Sequence, residues 1–266
     1  MMSELVIQEP DLAEILKGKL TKAVRDYTAN EPRSRQASIG ASELGNPCDK
    51  AMALKSLGYD DGERRATGND PWAAFIGTSV HYGLEKVFRY ANQQRPVSDY
   101  TNGLPYNWQV ETRVQIAAAI KGTADLYDLE TATVIDHKVP ADAVMDKARK
   151  GQVSATYRVQ IQSYGYGFKQ LGYDVRNVAI AFWPRGTGAW LGGAHVIVYP
   201  YDETVVTEAL SRWYALVNAA IELDLENFPE RASLLATADA PCRWCPFFDI
   251  TGRKTGALDC KGHGRK

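Results

Sequence analysis

The sequence is poor in cysteine, in net charge and in long apolar runs. Four cysteines among 266 residues are too few for a secreted disulfide scaffold. They suffice for one metal or cluster site. Lys and Arg number 31 and Asp and Glu 32, giving a net charge of −1. That balance excludes a protein that coats nucleic acid by bulk charge. No run approaches the roughly 20 apolar residues of a membrane span, so no membrane partner is expected. Glu4, Glu9 and Asp11 occupy the start, where a signal peptide needs basic and then apolar residues. A soluble cytoplasmic protein is expected. What is present is globular composition, 45% hydrophobic and 24% charged, enough for one core with a small appendage.

Apolar spacing predicts helices over 11–29 and 73–92, the second with Ile76, Val80, Leu84, Val87 and Phe88 on one face and His81 and Glu85 at its border. Cys48 opens a short helical pattern reaching Leu54, and 58–71 is a Gly/Asp/Arg-rich loop. Alternation predicts a strand over 109–116, and two runs separated by Glu130 and Thr131 read as strands over 119–129 and 132–139. A helix over 157–171 follows, with Gly172 as its C-terminal cap. Strands over 175–183 and 194–199 and a long helix over 204–225 complete the pattern. The class is mixed α/β, with a twisted central sheet flanked by helices. Three regions are expected within one compact domain: an N-terminal helical region over 1–72, a core over 73–225 and a cysteine-bearing tail over 226–266.

The most informative stretch runs from Gly122 through Asp125 to Asp136 and Lys138. If Glu130 and Thr131 form the turn, Asp125 falls directly opposite Asp136 on one face of the hairpin. Lys138, two residues on, shares that face. Opposed like charges destabilise a sheet, and a divalent cation between them removes that cost. A solvated surface hairpin is the plain alternative. Val134, Ile135 and Val139 argue against it, because they embed the charges in an apolar β-branched strand. His137 points to the other face and reads as packing.

Gly-x-x-Asp, an apolar run into Asp-x-Lys, and a helix with Gln160 and Tyr164 four apart resemble the PD-(D/E)XK nuclease superfamily, in its RecB-like branch. His81 on the upstream helix matches a further element, and Glu111 stands where the family often has an acidic residue. The resemblance implies a restriction-endonuclease-like fold. It implies that Asp125, Asp136 and His81 hold a catalytic Mg²⁺ or Mn²⁺. Lys138 would position or activate the attacking water, and Gln160 and Tyr164 would orient Lys138 or contact the DNA backbone.

Cys242 and Cys245 form a C-x₂-C pair, Cys260 follows 14 residues later, and Cys48 lies far upstream. Four thiolates suit Zn²⁺ or an iron–sulfur cluster. One cysteine before the core and three after it resemble the iron–sulfur nucleases, including AddB-type subunits and the CRISPR-associated exonuclease family. That resemblance implies a structural [4Fe–4S] cluster on all four, with Lys50 as the basic residue after the first. The activity implied is exonuclease action on single-stranded DNA ends with 5′→3′ polarity. Trp72, Tyr82, Phe88, Tyr90 and Trp183 are candidates for base stacking, and Arg64, Arg65, Lys147, Arg149, Lys150 and Arg158 for phosphate contact. The alternatives are an inactive nucleic-acid-binding or scaffold protein of the same fold, and a Zn-stabilised nuclease.

Overall fold

A computed structural model describes residues 12–30, 39–59, 70–94 and 106–238, and in the tail residues 242, 245, 247, 248, 260 and 262. The described helices are α1 (Leu12–Asn30), α2 (Asp49–Ser56), α3 (Trp72–Gln93), α4 (Asp142–Arg149), α5 (Ala155–Gln170) and α6 (Glu203–Glu222). The strands are β1 (Trp108–Ala117), β2 (Ile120–Asp128), β3 (Thr133–Lys138), β4 (Asn177–Phe182) and β5 (His195–Pro200). They form one sheet in the order β1-β2-β3-β4-β5. Only the β3–β4 pairing is parallel; the other three are antiparallel. A parallel neighbour needs a crossover, and α4 and α5 supply it. The expected mixed sheet flanked by helices is therefore the observed architecture. The expected pattern lacked α4, whose eight residues offer too few turns for apolar spacing to stand out. The 58–71 loop lies largely outside the described residues, as do Arg64 and Arg65.

The β2–β3 register pairs Asp128 with Thr133 and Leu126 with Ile135, as expected. The turn itself is longer than the expected two residues. It spans Leu129 to Ala132, with Ala132 at a φ of 52°. Asp128 shapes it: Oδ1 accepts the Glu130 N–H at 3.2 Å and Oδ2 accepts the Thr131 hydroxyl at 2.6 Å. Glu-Thr is a poor two-residue hairpin turn, and an Asx-type turn takes its place.

Helix α5 lies over the sheet. Ser154 caps it by accepting the Tyr157 N–H at 3.2 Å, and Gly172 ends it at a φ of 89°. Ile161, Tyr164 and Phe168 bury against Val114, Val178 and Ile180 in the main core. Close approach depends on missing side chains. A Cβ on Gly167 would stand 2.5 Å from Val114 Cβ, and one on Gly122 would stand 2.7 Å from Tyr164 Cε1. A second, smaller core joins Leu54 of α2, Ala220 of α6, Leu225, and Phe247 of the tail. Arg212 of α6 fastens it by donating to the Asn46 carbonyl at 2.7 Å and to Asp49 Oδ1 at 2.5 Å.

Helix α3 holds none of its residues fully buried. Val87, expected on the inward face, is 55% exposed. The helix is pinned at its C-terminal end, where Asn92 donates to the Trp108 carbonyl at 2.8 Å and accepts the Trp108 N–H at 3.0 Å.

Gly167→Ala should lower unfolding free energy by about 1–3 kcal/mol, because Val114 sits in a packed core that yields little. Gly18→Ala, on exposed α1 with nothing near a new Cβ, should instead stabilise by roughly 0.5–1 kcal/mol. Urea denaturation of the two variants checks the contrast.

Candidate active site

The site forms where β2 and β3 part. The ladder between them stops at Leu126–Ile135, and Asp125 and Asp136 are the next positions of the same register. Beyond that point β3 continues its pairing with β4, and β2 its pairing with β1. The His137 N–H turns instead to Asp125 Oδ2, at 2.6 Å. A side-chain carboxylate thus takes over where the ladder ends. Asp125 Oδ1 lies 3.2 Å from His81 Nδ1 on α3. Both carboxylates are buried, Asp136 to 2% exposure.

Lys138 Nζ lies 2.6 Å from Asp136 Oδ2 and donates to Gln160 Oε1 at 3.0 Å. Gln160 Nε2 in turn donates to Asp136 Oδ1 at 3.3 Å and to the Tyr164 hydroxyl at 3.0 Å. An ammonium only donates, so it selects the oxygen end of the amide and leaves the nitrogen for the other two. Six expected residues therefore meet: His81 and Asp125 as one pair, and Asp136, Lys138, Gln160 and Tyr164 as one chain. Asp136 Oδ2 meets Lys138 Nζ in that ion pair and has no other polar partner.

Two further side chains join them. The Tyr157 ring lies 4.9 Å from Lys138 Nζ, one turn before Gln160 on α5. A tyrosine three residues before the glutamine was a legible signal, since i and i+3 share a helix face. Trp183 donates its indole N–H to His137 Nδ1 at 3.3 Å, which leaves the proton of a neutral His137 on Nε2. His137 is packing, as expected, and its packing serves the site. Its ring stacks on Phe88 at 5.7 Å and meets the His81 ring edge-on at 6.0 Å.

Glu111 occupies the β1 position opposite Asp125, between the Val110–Leu126 and Thr112–Ala124 pairs. Its φ is 50°. A non-glycine residue there costs on the order of 1–3 kcal/mol, strain that concentrates at functional sites.

Charge and burial compete within the cluster. Burial holds the Asp136 carboxyl above the ordinary range; Lys138 opposes this and the Asp125 charge adds to it. Burial also disfavours ionised Asp125, but His81 and the His137 N–H outweigh it and hold that carboxyl low. The two carboxyls are thus pushed in opposite directions by unlike surroundings.

Two carboxylates and a histidine suit a hard divalent cation in kind. The buried Asp136 Oδ2, whose one partner is the Lys138 ammonium, keeps a further lone pair that fits one. Both Asp125 oxygens are already engaged, and among the described residues no three His, Cys, Asp or Glu side chains form a group that would hold a metal ion.

The four cysteines come together. Cys48, Cys242, Cys245 and Cys260 all line one cavity of about 210 Å³, and no disulfide joins them. Burial pushes the Cys245 thiol up to about 11, with Cys48, Cys260 and Cys242 adding to the rise. Short backbone bonds shape the knot: the Cys245 N–H to the Cys242 carbonyl at 2.8 Å, and the Cys260 N–H to the Phe247 carbonyl at 2.8 Å. Lys50, two residues after Cys48, is buried on α2.

Of the stacking candidates, Phe88 and Trp183 are packed, while Trp72, Tyr82 and Tyr90 are exposed. Lys147, Arg149 and Lys150 are exposed at the end of α4, and Arg158 lies over the Tyr199 ring at 5.4 Å. No described helix is long and apolar enough to cross a membrane.

No protein-family model and no curated protein matches the chain. Among solved structures it is similar to an alkaline exonuclease from Laribacter hongkongensis, at 13% identity, over 76% of this chain and 96% of that one, with a TM-score of 0.48. It is similar to the protein SSO0001 at 16% identity, over 87% and 94% of the two chains, with a TM-score of 0.48. A phage-related exonuclease from Haemophilus somnus 129PT is 17% identical over 71% and 96%, with a TM-score of 0.42. Likenesses of this size carry no argument about function.

The two histidines link to pH with opposite sign. Burial pushes His137 down to about 4, against the pull of Asp125. The unfolded chain takes that proton near pH 6.5, so its contribution is full above 6.5 and lost as pH falls towards 4. Burial disfavours charged His81 too, but Asp125 outweighs it and raises the group. Its contribution is full below 6.5 and lost as pH rises through the folded value. His137→Phe should therefore gain stability relative to wild type as pH falls from 6.5 to about 4. Urea midpoints across that range check this; a constant gap would show that His137 is not held neutral.

Proposed function

We propose that the protein is a metal-dependent deoxyribonuclease that degrades single-stranded DNA from its ends with 5′→3′ polarity. The observation that carries the reading is the bonded chain from Asp136 through Lys138 and Gln160 to Tyr164, set beside the His81–Asp125 pair. A solvated hairpin would not bury two carboxylates against each other and spend three further polar side chains on them.

Asp125, Asp136 and His81 would hold Mg²⁺ or Mn²⁺, with Glu111 as an additional carboxylate. The cation supplies the charge that activates water and offsets the growing phosphoryl charge. The chain's own residues do the rest. Of the three Lys138 protons, Asp136 and Gln160 engage two. The third is left to orient a water or a phosphate oxygen. Gln160 locks the ammonium in place, and Tyr164 in turn holds the far end of that amide. Tyr157 backs the ammonium with its ring face. His81 steadies Asp125 in its ionised form.

The four cysteines are read as ligands of a structural [4Fe–4S] cluster, separate from the catalytic metal. Their shared cavity supports this reading, because thiols that line one space could bind one cationic group with release of their protons. Such a knot would tie α2 to the tail.

End-labelled single-stranded DNA should be degraded with Mg²⁺ or Mn²⁺, while circular single-stranded DNA resists. Asp136→Ala and Lys138→Ala should lower kcat on the order of 10²–10⁴-fold. Equal activity of wild type and Lys138→Ala would remove the lysine from the chemistry. Purified protein should be brown and contain iron and sulfide, and Cys242→Ala should lose both. A colourless protein with one zinc would replace the cluster by Zn²⁺.

A further inference from the structure

The connection from β4 to β5 ends in a short 3₁₀ turn, Leu191–Gly193. Trp190, just before it, is 71% exposed, and Leu191 is 80% exposed. The indole nevertheless lies against its own turn. A Cβ on Gly192 would stand 2.2 Å from its Cζ3 atom, and one on Gly193 would stand 3.3 Å from Nε1. Two glycines thus let backbone back the ring, while most of its surface stays in water. Exposing a large aromatic costs solvation and contributes nothing to the core. An open ring backed on one face is what an unpaired base stacks on.

The turn hangs from the catalytic strand ends. Trp183, which begins this connection, donates its backbone N–H to the Lys138 carbonyl at 2.8 Å. Arg149, at the end of α4, donates to the Gly193 carbonyl at 3.3 Å. Helix α4 begins four residues after Lys138 and is about 12 Å long. A few nucleotides span that reach. Arg185, on the same connection, donates to the Ala73 carbonyl at 3.2 Å. Beside Ala73 is Trp72, 54% exposed and stacked on Phe75 at 5.6 Å. Arg149 also pairs with Asp146 at 3.4 Å. Helix α4 with its cap and the β4–β5 connection together carry Lys147, Arg149, Lys150 and Arg185 against Asp142 and Asp146, so the local charge favours a phosphate chain.

We propose that Trp190, backed by Gly192 and Gly193, is a stacking platform for an unpaired base of the DNA, with Arg149 and its neighbouring cations holding the phosphates. The inference rests on the nuclease reading above and adds a substrate subsite to it. Stacking asks for a free base face and reads no sequence. The platform therefore favours single strands over duplex, whose bases are already stacked and paired. It also separates binding from chemistry: Trp190 lies outside the Lys138 cluster.

The test uses the full chain carrying Lys138→Ala, so that DNA survives, with a labelled oligothymidine and a duplex of equal length. Fluorescence anisotropy gives the Kd values. Adding Trp190→Ala should weaken single-strand binding about ten-fold and duplex binding little, with the slope of log K against log salt unchanged. Trp190→Tyr should restore most of the affinity, and Gly192→Ala, which displaces the ring, should mimic the loss. Arg149→Ala should instead reduce the salt slope by about one. Unchanged single-strand affinity in Trp190→Ala, while the parent binds tightly, overturns the platform and leaves the nuclease reading standing. Equal weakening on duplex overturns it as well. So does a Trp190→Ala effect confined to oligomeric state by light scattering, which would make the patch a self-association face. A parent chain that binds no DNA, together with a wild type that cleaves none, overturns the nuclease reading and the platform with it.

Discussion

The bond from the His137 N–H to Asp125 Oδ2 is the hinge of this structure. It stands where the β2–β3 ladder ends, beyond Leu126–Ile135, while β2 stays paired with β1 and β3 with β4. A backbone N–H left there without a partner would be costly inside the protein. The carboxylate that satisfies it is also the one that His81 approaches from α3. One side chain thereby joins sheet, helix and candidate metal site. The same divergence opens the space in which Asp136 and Lys138 face α5.

The competition at this split explains the charge pattern. A fully paired hairpin would force two carboxylates into direct opposition. The split lets Asp125 take two donors while Asp136 takes Lys138 and Gln160. Two buried acids thus occupy unlike environments, one stabilised as an anion and one not. Net charge near zero is no obstacle to such a site. Acidic residues do the local work, and cations at the end of α4 and on the β4–β5 connection supply an outer field.

The segment before α2 and the tail pack on the core from outside it. Segment 39–48 lies between the cysteine cavity and α5. Gly45 presses so close to α5 that a Cβ would stand 2.8 Å from Thr156 Cα, and Ala41 neighbours Gly122 beside Tyr164. The cysteine knot and the Gln160–Tyr164 chain are therefore packed through one short segment.

Much of this was legible in residue order. Alternation and apolar runs marked the five strands, helical spacing marked the longer helices, and the hairpin register followed from counting. Gln160 and Tyr164 share a face because four residues are about one helical turn. Those are local periodicities, and local geometry dictates them. The rest depended on which elements meet. The four-residue turn came from Asp128 bonding its own backbone. The parting of β2 and β3 came from competing neighbours. Tyr157 under Lys138, Trp183 on His137, and Trp190 backed by two glycines each require contacts between segments distant in sequence or a turn set by the sheet. Periodicity says which face a side chain takes. Only tertiary packing says what stands opposite, because that is decided by sheet order and close approach and not by any spacing along the chain.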